Sequence, residues 1–173
     1  MSVLRVLGID PGTRVLGYGV VEESNGHLLY IGDGTISPTG ELPARLKGLY
    51  DGVIEIIRTF SPEAVAMESP FLAKNVASTL KLGQIQGVIV LAASHALSSP
   101  HTYSPMEVKS AVAGYGRASK IQVREMVKRL LGLNHPLALD AADALAVAIC
   151  HVHTAKFRGR YEQHTNPWQV SEG

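Results

Sequence analysis

The dipeptide Asn25-Gly26 constrains the fold of this chain more than any other short feature of its sequence. Asn-Gly between two hydrophobic runs is a strong signal for a tight antiparallel hairpin, because both residues tolerate a positive φ. The dipeptide separates strand patterns at Val15–Val21 and His27–Ile36, and a DPGT turn at 10–13 follows an earlier strand pattern at Val3–Ile9. The sequence therefore predicts a three-stranded antiparallel meander.

Helix and strand patterns alternate after this meander. Apolar residues recur at helical spacing over Leu42–Phe60, and Ala64–Met67 is a short apolar strand that ends at Glu68. The remaining predicted elements are a helix, a strand and three helices, at Asn75–Leu97, Ser99–Tyr103, Pro105–Ala113, Ser119–Leu131 and Leu139–His153. This order predicts an α/β fold, with a mixed sheet and helices on both of its faces.

The length and composition predict one compact domain. The chain has 173 residues, of which 46% are hydrophobic and 18% charged, and its single cysteine cannot form an internal disulfide. We expect the domain to span residues 1–155 and residues 156–173, which are polar and contain Pro167, to form a flexible tail. The first residues resemble a strand rather than a signal peptide, and polar residues interrupt the apolar stretches. We therefore expect a cytoplasmic protein with no membrane span.

Charge is distributed unevenly along the chain, although the formal net charge is only +1. Residues 1–70 contain five Lys or Arg and nine Asp or Glu, whereas residues 71–135 contain eight Lys or Arg and two Asp or Glu. An acidic part beside a basic part is consistent with a metal centre next to a phosphate-binding surface. Two solvated helices rich in Lys and Arg would give the same distribution, so charge alone leaves both interpretations open.

Four acidic residues stand beside apolar runs. Asp10 follows the first strand pattern and Glu68 the fourth, whereas Asp140 and Asp143 are three residues apart at the start of the last helix and share one face. Taken singly, Asp10 could be a turn residue, Glu68 a solvated strand end and Asp140 a helix N-cap. Four such residues on separate elements of one small domain are much harder to explain by chance.

A set of neighbouring carboxylates requires protons or cations, because the charges repel one another. Hard oxygen ligands favour Mg²⁺ or Mn²⁺ over zinc. Two such ions, about 3.5–4 Å apart, can activate a water molecule and stabilise the leaving oxygen of a phosphodiester. The four carboxylates are therefore compatible with metal-dependent hydrolysis of a phosphodiester.

Four segments resemble, in order, the blocks that characterise RuvC-type Holliday junction resolvases of the RNase H-like superfamily: GIDPGTRVLGYGVV, ESPFLAKNVASTLKLGQIQG, VKSAVAGYGRASKIQV and DAADALAVAICH. The resemblance covers residues 3–153. It implies an RNase H-like fold with a five-stranded sheet, a homodimer, and paired nicking of four-way DNA junctions in homologous recombination and repair. It further implies two metal ions held by Asp10, Glu68, Asp140 and Asp143, and a RuvA-RuvB branch-migration complex as partner.

The same resemblance predicts the DNA contacts. Phe71 matches an aromatic residue that stacks on an unpaired junction base, and a buried core ring is the alternative for this position. Lys109 and Lys120 match residues that contact the DNA backbone near the cut, and Lys74 and Arg117 are further candidates. Ser69-Pro70 departs from the family pattern and leaves the reach of Phe71 open.

Three other functions are compatible with parts of the sequence. The DPGT turn also resembles the first phosphate loop of actin-like phosphotransferases, but those enzymes bind nucleotide between two such domains. A related single-domain nuclease acting on RNA or simple duplex is the second alternative. A catalytically silent nucleic-acid-binding module of the same fold is the third, although such a module has no need of all four carboxylates.

Overall fold

A computed structural model describes residues 3–69 and 75–164 of the chain, with side chains to residue 158. The strands are β1 (Val3–Asp10), β2 (Leu16–Ser24), β3 (His27–Ile36), β4 (Ala64–Glu68) and β5 (His101–Tyr103), and the helices are α1 (Leu42–Phe60), α2 (Val76–Ala96), α3 (Pro105–Ala113), α4 (Lys120–Leu131) and α5 (Leu139–His164). The strands form one sheet in the order β3-β2-β1-β4-β5.

The first three strands form the predicted antiparallel meander. β1 pairs with β2 from Val3 opposite Ser24 to Asp10 opposite Gly17, and β2 pairs antiparallel with β3. Asn25 and Gly26 both have positive φ, 51° and 90°, as a two-residue hairpin turn between right-handed twisted strands requires. The hairpin prediction is therefore confirmed.

The other half of the sheet is parallel. β4 lies beside β1 and β5 lies beside β4, both in parallel register. Because parallel strands end at the same edge of a sheet, the last residues of β1 and β4, Asp10 and Glu68, meet at one edge. The sheet is thus mixed, as predicted, and it brings two of the four singled-out carboxylates together.

Helices cover both faces of this sheet. Buried residues of α1 and α2 pack with Leu7, Val20 and Val65 on one face, whereas buried residues of α3, α4 and α5 pack with Val6 and Val21 on the other. Successive strand residues thus contribute to opposite cores, which is the two-residue period of a strand buried on both sides.

Glycines allow α5 to lie directly on the sheet. A Cβ atom added to Gly8 would lie 2.0 Å from the backbone oxygen of Ala144, and one added to Gly19 would lie 2.5 Å from Cγ of Leu145. Every residue from Ala144 to Val152 is buried, including the single cysteine, Cys150. The central helix therefore approaches β1 and β2 more closely than any residue with a side chain would permit.

α2 is also strongly apolar, but much of it is exposed. Ile85, Ile89, Ala92 and Ala93 face the core, whereas Val76 is 76% exposed, Leu80 65% and Leu91 60%. Among the described residues, α2 is the one helix long and apolar enough to cross a membrane by length and composition, and 28% of its most apolar window is buried. Most of this apolar surface thus has no cover within the described part of the chain.

The boundaries of most elements agree with the predicted ones, and the largest difference is at the end of α5. The predicted last helix ended at His153, but α5 continues to His164. Lys156 Nζ lies 2.8 Å from Oε1 of Glu23 on β2, so a contact distant in sequence ties this part of the helix to the sheet. Residues 165–173 lie outside the described residues, and the domain boundary at residue 155 stays a prediction.

Candidate active site

Three of the four carboxylates line one small cavity. It has a volume of about 150 Å³, and its lining consists of Asp10, Glu68, Pro105, Val108, Lys109, Lys120, Val123, Asp143 and Ala146. The sheet edge supplies Asp10 and Glu68, α5 supplies Asp143, and α3 and α4 supply one lysine each. Residues far apart in sequence therefore converge on a cleft that contains three acidic and two basic side chains.

The first turn of α5 places its two aspartates differently. Asp143 lines the cavity, and its side chain is only 15% exposed. Asp140 is exposed, and its backbone oxygen lies so close to β2 that a Cβ on Gly17 would approach it to 2.3 Å. Asp140 thus stands at the rim of the site, where its charge still acts on Asp10.

The carboxylates perturb one another electrostatically. Burial, together with the charges of Asp143, Glu68 and Asp140, raises the pKa of Asp10 to about 7, although the charge of Lys120 opposes the shift. Burial and the charge of Asp143 also raise the pKa of Glu68, whereas Lys120 and Lys109 lower it. Two lysines therefore leave the acidic charge of the cleft only partly compensated.

Lys120 makes the most direct contact with these acids. Its Nζ donates a hydrogen bond to Oδ2 of Asp143 over 2.8 Å. This hydrogen bond, together with the charges of Asp143, Asp10 and Glu68, raises the pKa of Lys120 although burial opposes it. The ammonium group therefore stays charged at neutral pH within reach of the cleft.

Both cavity lysines lie on helices with defined starts. Ser104 and Glu107 form a capping box at the start of α3, and Ser119 and Gln122 form one at the start of α4. Reciprocal caps of this kind satisfy the first free amides of a helix and fix its first turn. Lys120 follows its cap directly, and Lys109 lies one turn after the cap of α3.

The donor chemistry of the cleft suits a hard divalent cation. Its acidic side chains offer only carboxylate oxygens, and the raised pKa of Asp10 shows that added positive charge would stabilise the ionised form. Among the described residues, no three His, Cys, Asp or Glu side chains stand close enough to hold an ion as they are oriented. A bound cation would therefore require side-chain rotations at Asp10, Glu68 and Asp143.

The other predicted site residues are less central. Arg117 is exposed on the turn between α3 and α4, where the amide of Ala118 donates to the backbone oxygen of Tyr115. Phe71 and Lys74 lie outside the described residues. The sequence interpretation missed the apolar wall of the cleft, Pro105, Val108, Val123 and Ala146. Each of these is one helical turn or less from Lys109, Lys120 or Asp143, so helical spacing could have identified them.

The sheet is mixed and five-stranded, and its adjacent first and fourth strands carry carboxylates to one edge, beneath the acidic start of α5. This arrangement defines a protein of the RNase H-like nuclease class. The sequence profile described as crossover junction endodeoxyribonuclease RuvC matches residues 6–151. The chain belongs to this RuvC family, whose members are metal-dependent nucleases.

Individual relatives agree with this assignment. A protein from Shewanella baltica named crossover junction endodeoxyribonuclease RuvC is 48% identical over 152 residues, which cover 87% of this chain and 88% of that protein. The structure of Thermus thermophilus RuvC in complex with a Holliday junction substrate matches with a TM-score of 0.84 at 34% identity, covering 90% of this chain and 96% of that chain. A second Thermus thermophilus RuvC structure gives a TM-score of 0.80.

Proposed function

We propose that the chain is a structure-selective endodeoxyribonuclease that resolves four-way DNA junctions by paired symmetric nicks, in homologous recombination and DNA repair. The observation that supports this most directly is the single cavity shared by Asp10, Glu68 and Asp143 with Lys109 and Lys120. Membership of the RuvC family supplies the substrate class. A cleft of this kind can hold a phosphate group between acidic and basic side chains.

The acidic residues would hold the metal. We assign Asp10, Glu68, Asp140 and Asp143 as ligands of two Mg²⁺ ions, for which Mn²⁺ can substitute, because oxygen-only donor sets select such ions. When bound, the ions supply an activated water molecule and stabilise the charge on the leaving oxygen. Asp140 is exposed and, unlike the other three, does not line the cavity, so it would have to turn towards the cavity to bind an ion there.

The basic residues would hold the DNA backbone. Lys109 and Lys120 line the cavity itself, so they can contact the phosphates nearest the cut. Arg117 and Lys74 are proposed to contact phosphates farther along the strand. Phosphate contacts position the duplex without identifying its sequence. This division predicts that substitutions of the carboxylates abolish cutting, whereas substitutions of the lysines weaken binding.

Phe71 is proposed to stack on an unpaired base at the opened junction. Stacking on a splayed base contributes about 1–3 kcal/mol per base. Phe71→Ala should therefore reduce cutting without changing the salt dependence of binding, because no charge is removed. A core position for Phe71 would instead lower the free energy of unfolding by about 3–5 kcal/mol. Melting curves measured beside the cleavage assay distinguish these roles.

The outer face of α2 is the proposed interface of a homodimer. Val76, Leu80 and Leu91 are exposed on this face, and a Cβ on Gly83 or Gly87 would have no neighbour within 4 Å. A helix that is apolar all round is normally buried, so this face requires a partner. A second copy fits best, since two nicks placed symmetrically in a four-way junction suit a two-fold protein.

The family relation supports two further proposals about the cellular setting. We propose that the chain acts together with a RuvA-RuvB branch-migration complex and that it works in the cytoplasm. A membrane position for α2 is the alternative to the dimer interface. It is less favourable, because Ile85, Ile89 and Ala93 of that helix are buried in the core beside α1.

Cleavage of synthetic substrates tests the proposed function. Purified protein is incubated with a four-way junction and with plain duplex of the same sequence, in Mg²⁺, in Mn²⁺ and in EDTA. We expect paired nicks in the junction alone, and only with a metal present. Cutting of the duplex at a similar rate would indicate the related single-domain nuclease, and binding without cutting would indicate a silent module.

Amide variants of the carboxylates identify the catalytic residues. Asp10→Asn, Glu68→Gln, Asp140→Asn and Asp143→Asn should each abolish cutting, because each removes a charged metal ligand. A gel shift should show that junction binding is retained. Near-normal cutting by any one variant would remove that residue from the site.

A further inference from the structure

Ser69 is joined to Tyr103 of β5 by two hydrogen bonds, immediately after Glu68. Its backbone amide donates to the backbone oxygen of Tyr103 over 2.8 Å, and its Oγ donates to the same oxygen over 3.1 Å. A carbonyl oxygen has two lone pairs, so one oxygen can accept both bonds. The last pair of the β4–β5 ladder is Glu68 with Tyr103, so these bonds extend the ladder by one residue beyond Glu68.

Glu68 needs such a support because the strands on which it lies and with which it pairs are short. β5 contains only three residues, at the edge of the sheet, and Glu68 is the final residue of β4. Strand ends with few neighbours open more easily than central strands. The two hydrogen bonds from Ser69 to Tyr103 therefore hold the backbone of Glu68 at the position where the ladder would otherwise fray.

Tyr103 is itself fixed to the helix that carries Asp143. Its ring is buried, and its hydroxyl shares a 2.7 Å hydrogen bond with Nδ1 of His151 on α5. Burial and the nearby charges of His101 and Arg158 lower the pKa of His151 to about 4, so its ring is neutral at physiological pH. The contacts thus run from Ser69 through Tyr103 to α5.

We propose that Ser69 and Tyr103 are positioning residues, which set the distance between the carboxylates of Glu68 and Asp143 and thereby the affinity of the site for a divalent cation. Neither residue touches the reacting atoms. Some residues orient metal ligands by hydrogen bonds without binding the metal themselves. Their removal typically lowers metal affinity or activity by about 10- to 100-fold. This inference rests on the proposed role of Glu68 as a metal ligand.

Variants that remove one hydroxyl each test the inference. Ser69→Ala loses the hydroxyl bond and keeps the amide bond, and Ser69→Thr restores a hydroxyl. Tyr103→Phe removes the hydroxyl that bonds to His151 and interacts with Thr154, both on α5. Tyr30→Phe is the matched control, because it removes a hydroxyl that donates to Oδ2 of Asp33 over 2.8 Å on β3, at the opposite edge of the sheet.

The first readout is Mn²⁺ binding by the free protein, measured by electron paramagnetic resonance. Ser69→Ala should weaken Mn²⁺ binding by about tenfold and raise the Mg²⁺ concentration for half-maximal cutting by the same factor. Tyr103→Phe should act in the same direction by about threefold, the effect of one ordinary hydrogen bond. Ser69→Thr should bind Mn²⁺ within about twofold of the parent, and junction affinity measured in EDTA should be unchanged in all variants.

Two results would overturn the inference. One is parental Mn²⁺ affinity in Ser69→Ala, whether or not its melting temperature falls, since a merely structural role would lower only the melting temperature. The other is an equal loss of Mn²⁺ affinity in Tyr30→Phe. Glu68→Gln separates failure of this inference from failure of the proposed function. If Glu68→Gln cuts normally, Glu68 is not a metal ligand and the proposed function is wrong at that residue. If Glu68→Gln is inactive and Ser69→Ala binds Mn²⁺ normally, only the positioning role is wrong.

Discussion

α2 and the middle of α5 are both strongly apolar, but their surroundings differ. Both are long helices, of 26 and 21 residues, whose apolar residues are not confined to one face. Residues 144–152 of α5 are all buried, whereas α2 leaves Val76, Leu80 and Leu91 largely exposed. Small residues have different uses as well: the glycines opposite α5 lie in contact with it, while Gly83 and Gly87 of α2 face open space.

The difference shows what an apolar helix can and cannot indicate. Such a helix must be covered. For α5 the cover is the sheet, with α3 and α4 beside it, so its burial is complete within one chain. For α2 the described part of the chain covers one side only, so its exposed apolar face predicts an intermolecular contact. Substitutions at Gly8 and on the outer face of α2 test this contrast directly, and substitutions of Asp10 and Lys120, with smaller expected effects, test the acidic cleft beside the first turn of α5.

Gly8→Ala tests the close contact of α5 with the sheet. The added Cβ would lie 2.0 Å from the backbone oxygen of Ala144, which cannot move without displacing α5. We expect the free energy of unfolding to fall by about 3 kcal/mol or more, at the upper end for overpacked cores. Chemical denaturation measures this loss.

The control for Gly8→Ala is the same substitution on α2. In the separated protomer, Gly83→Ala places its Cβ in open space and should stabilise the helix by up to about 1 kcal/mol, because alanine has the higher helix propensity. Equal destabilisation by both substitutions would remove the contrast between the two helices.

Leu80→Glu together with Leu91→Glu tests the outer face of α2. Charges at two exposed apolar positions should raise the dissociation constant of the dimer by about 100-fold, equivalent to about 2.7 kcal/mol, with little loss of protomer stability. Light scattering over a dilution series measures the change.

Leu29→Glu on β3, where Leu29 is 45% exposed, is the control for surface charge. It should leave the oligomeric state unchanged. A parent protein that is already monomeric and fully active at micromolar concentration would contradict the dimer.

Asp10→Asn tests the electrostatic cost of the acidic cleft at the first turn of α5. Because the folded-state pKa of Asp10 is raised to about 7, the folded protein binds this proton more tightly than the unfolded chain, and stability falls as pH rises from about 4 to about 7. Asparagine removes this loss. We expect the variant to be more stable at pH 8 by about 1–2 kcal/mol, because solvent reaching the half-buried carboxyl reduces the full effect of the shift.

The pH profile contains its own control. At pH 3.5 the folded parent is protonated at Asp10 and the unfolded chain is mostly protonated there, so the gain from asparagine should largely vanish. Melting curves at pH 3.5 and pH 8, in EDTA, provide the comparison. A gain of equal size at both pH values would show that the effect is not electrostatic.

The sequence predicted the parts of this molecule that local chemistry determines. Asn25-Gly26 predicted the hairpin, and the helical pattern that begins at Ser119 matches α4, whose N-cap is Ser119. The sequence also indicated that β1 and β4 end in acidic residues, because an acidic residue follows each of the two apolar strand patterns. Whether all four acidic residues ligate metal stays a prediction, with Asp143 inside the cavity and Asp140 at its rim.

Contacts between distant residues could not be predicted in this way. Lys120 meets Asp143 across 23 residues, and Ser69 meets Tyr103 across 34. In the part of α5 beyond the predicted end at His153, Lys156 pairs with Glu23 of β2, a contact that spans most of the chain. Helical periodicity predicts which face a residue occupies, but it does not predict the distant residue that this face meets.

Lys120→Ala should give the smallest of the four effects. The variant removes one phosphate contact, so junction binding should weaken about three- to tenfold at moderate salt, and the slope of log K against log salt should flatten by about one. The loss of the ammonium group should also raise the pKa of Asp10 and of Glu68 in the free cleft, because the charge of Lys120 lowers both. A gel shift at several salt concentrations measures the slope, and an unchanged slope would remove Lys120 from the phosphate contacts.

The burial of Cys150 makes the chain convenient for site-directed labelling. It is the single cysteine of the sequence, it is 1% exposed, and burial raises the pKa of its thiol to about 11. Little reactive thiolate therefore forms at neutral pH, and alkylating reagents should leave the folded parent unmodified. A cysteine introduced at Gly83 would then be the one reactive thiol of each protomer, suitable for a fluorophore, a spin label or a disulfide between two copies. The position of a dye or a crosslink on α2 can thus be chosen without first removing a native cysteine.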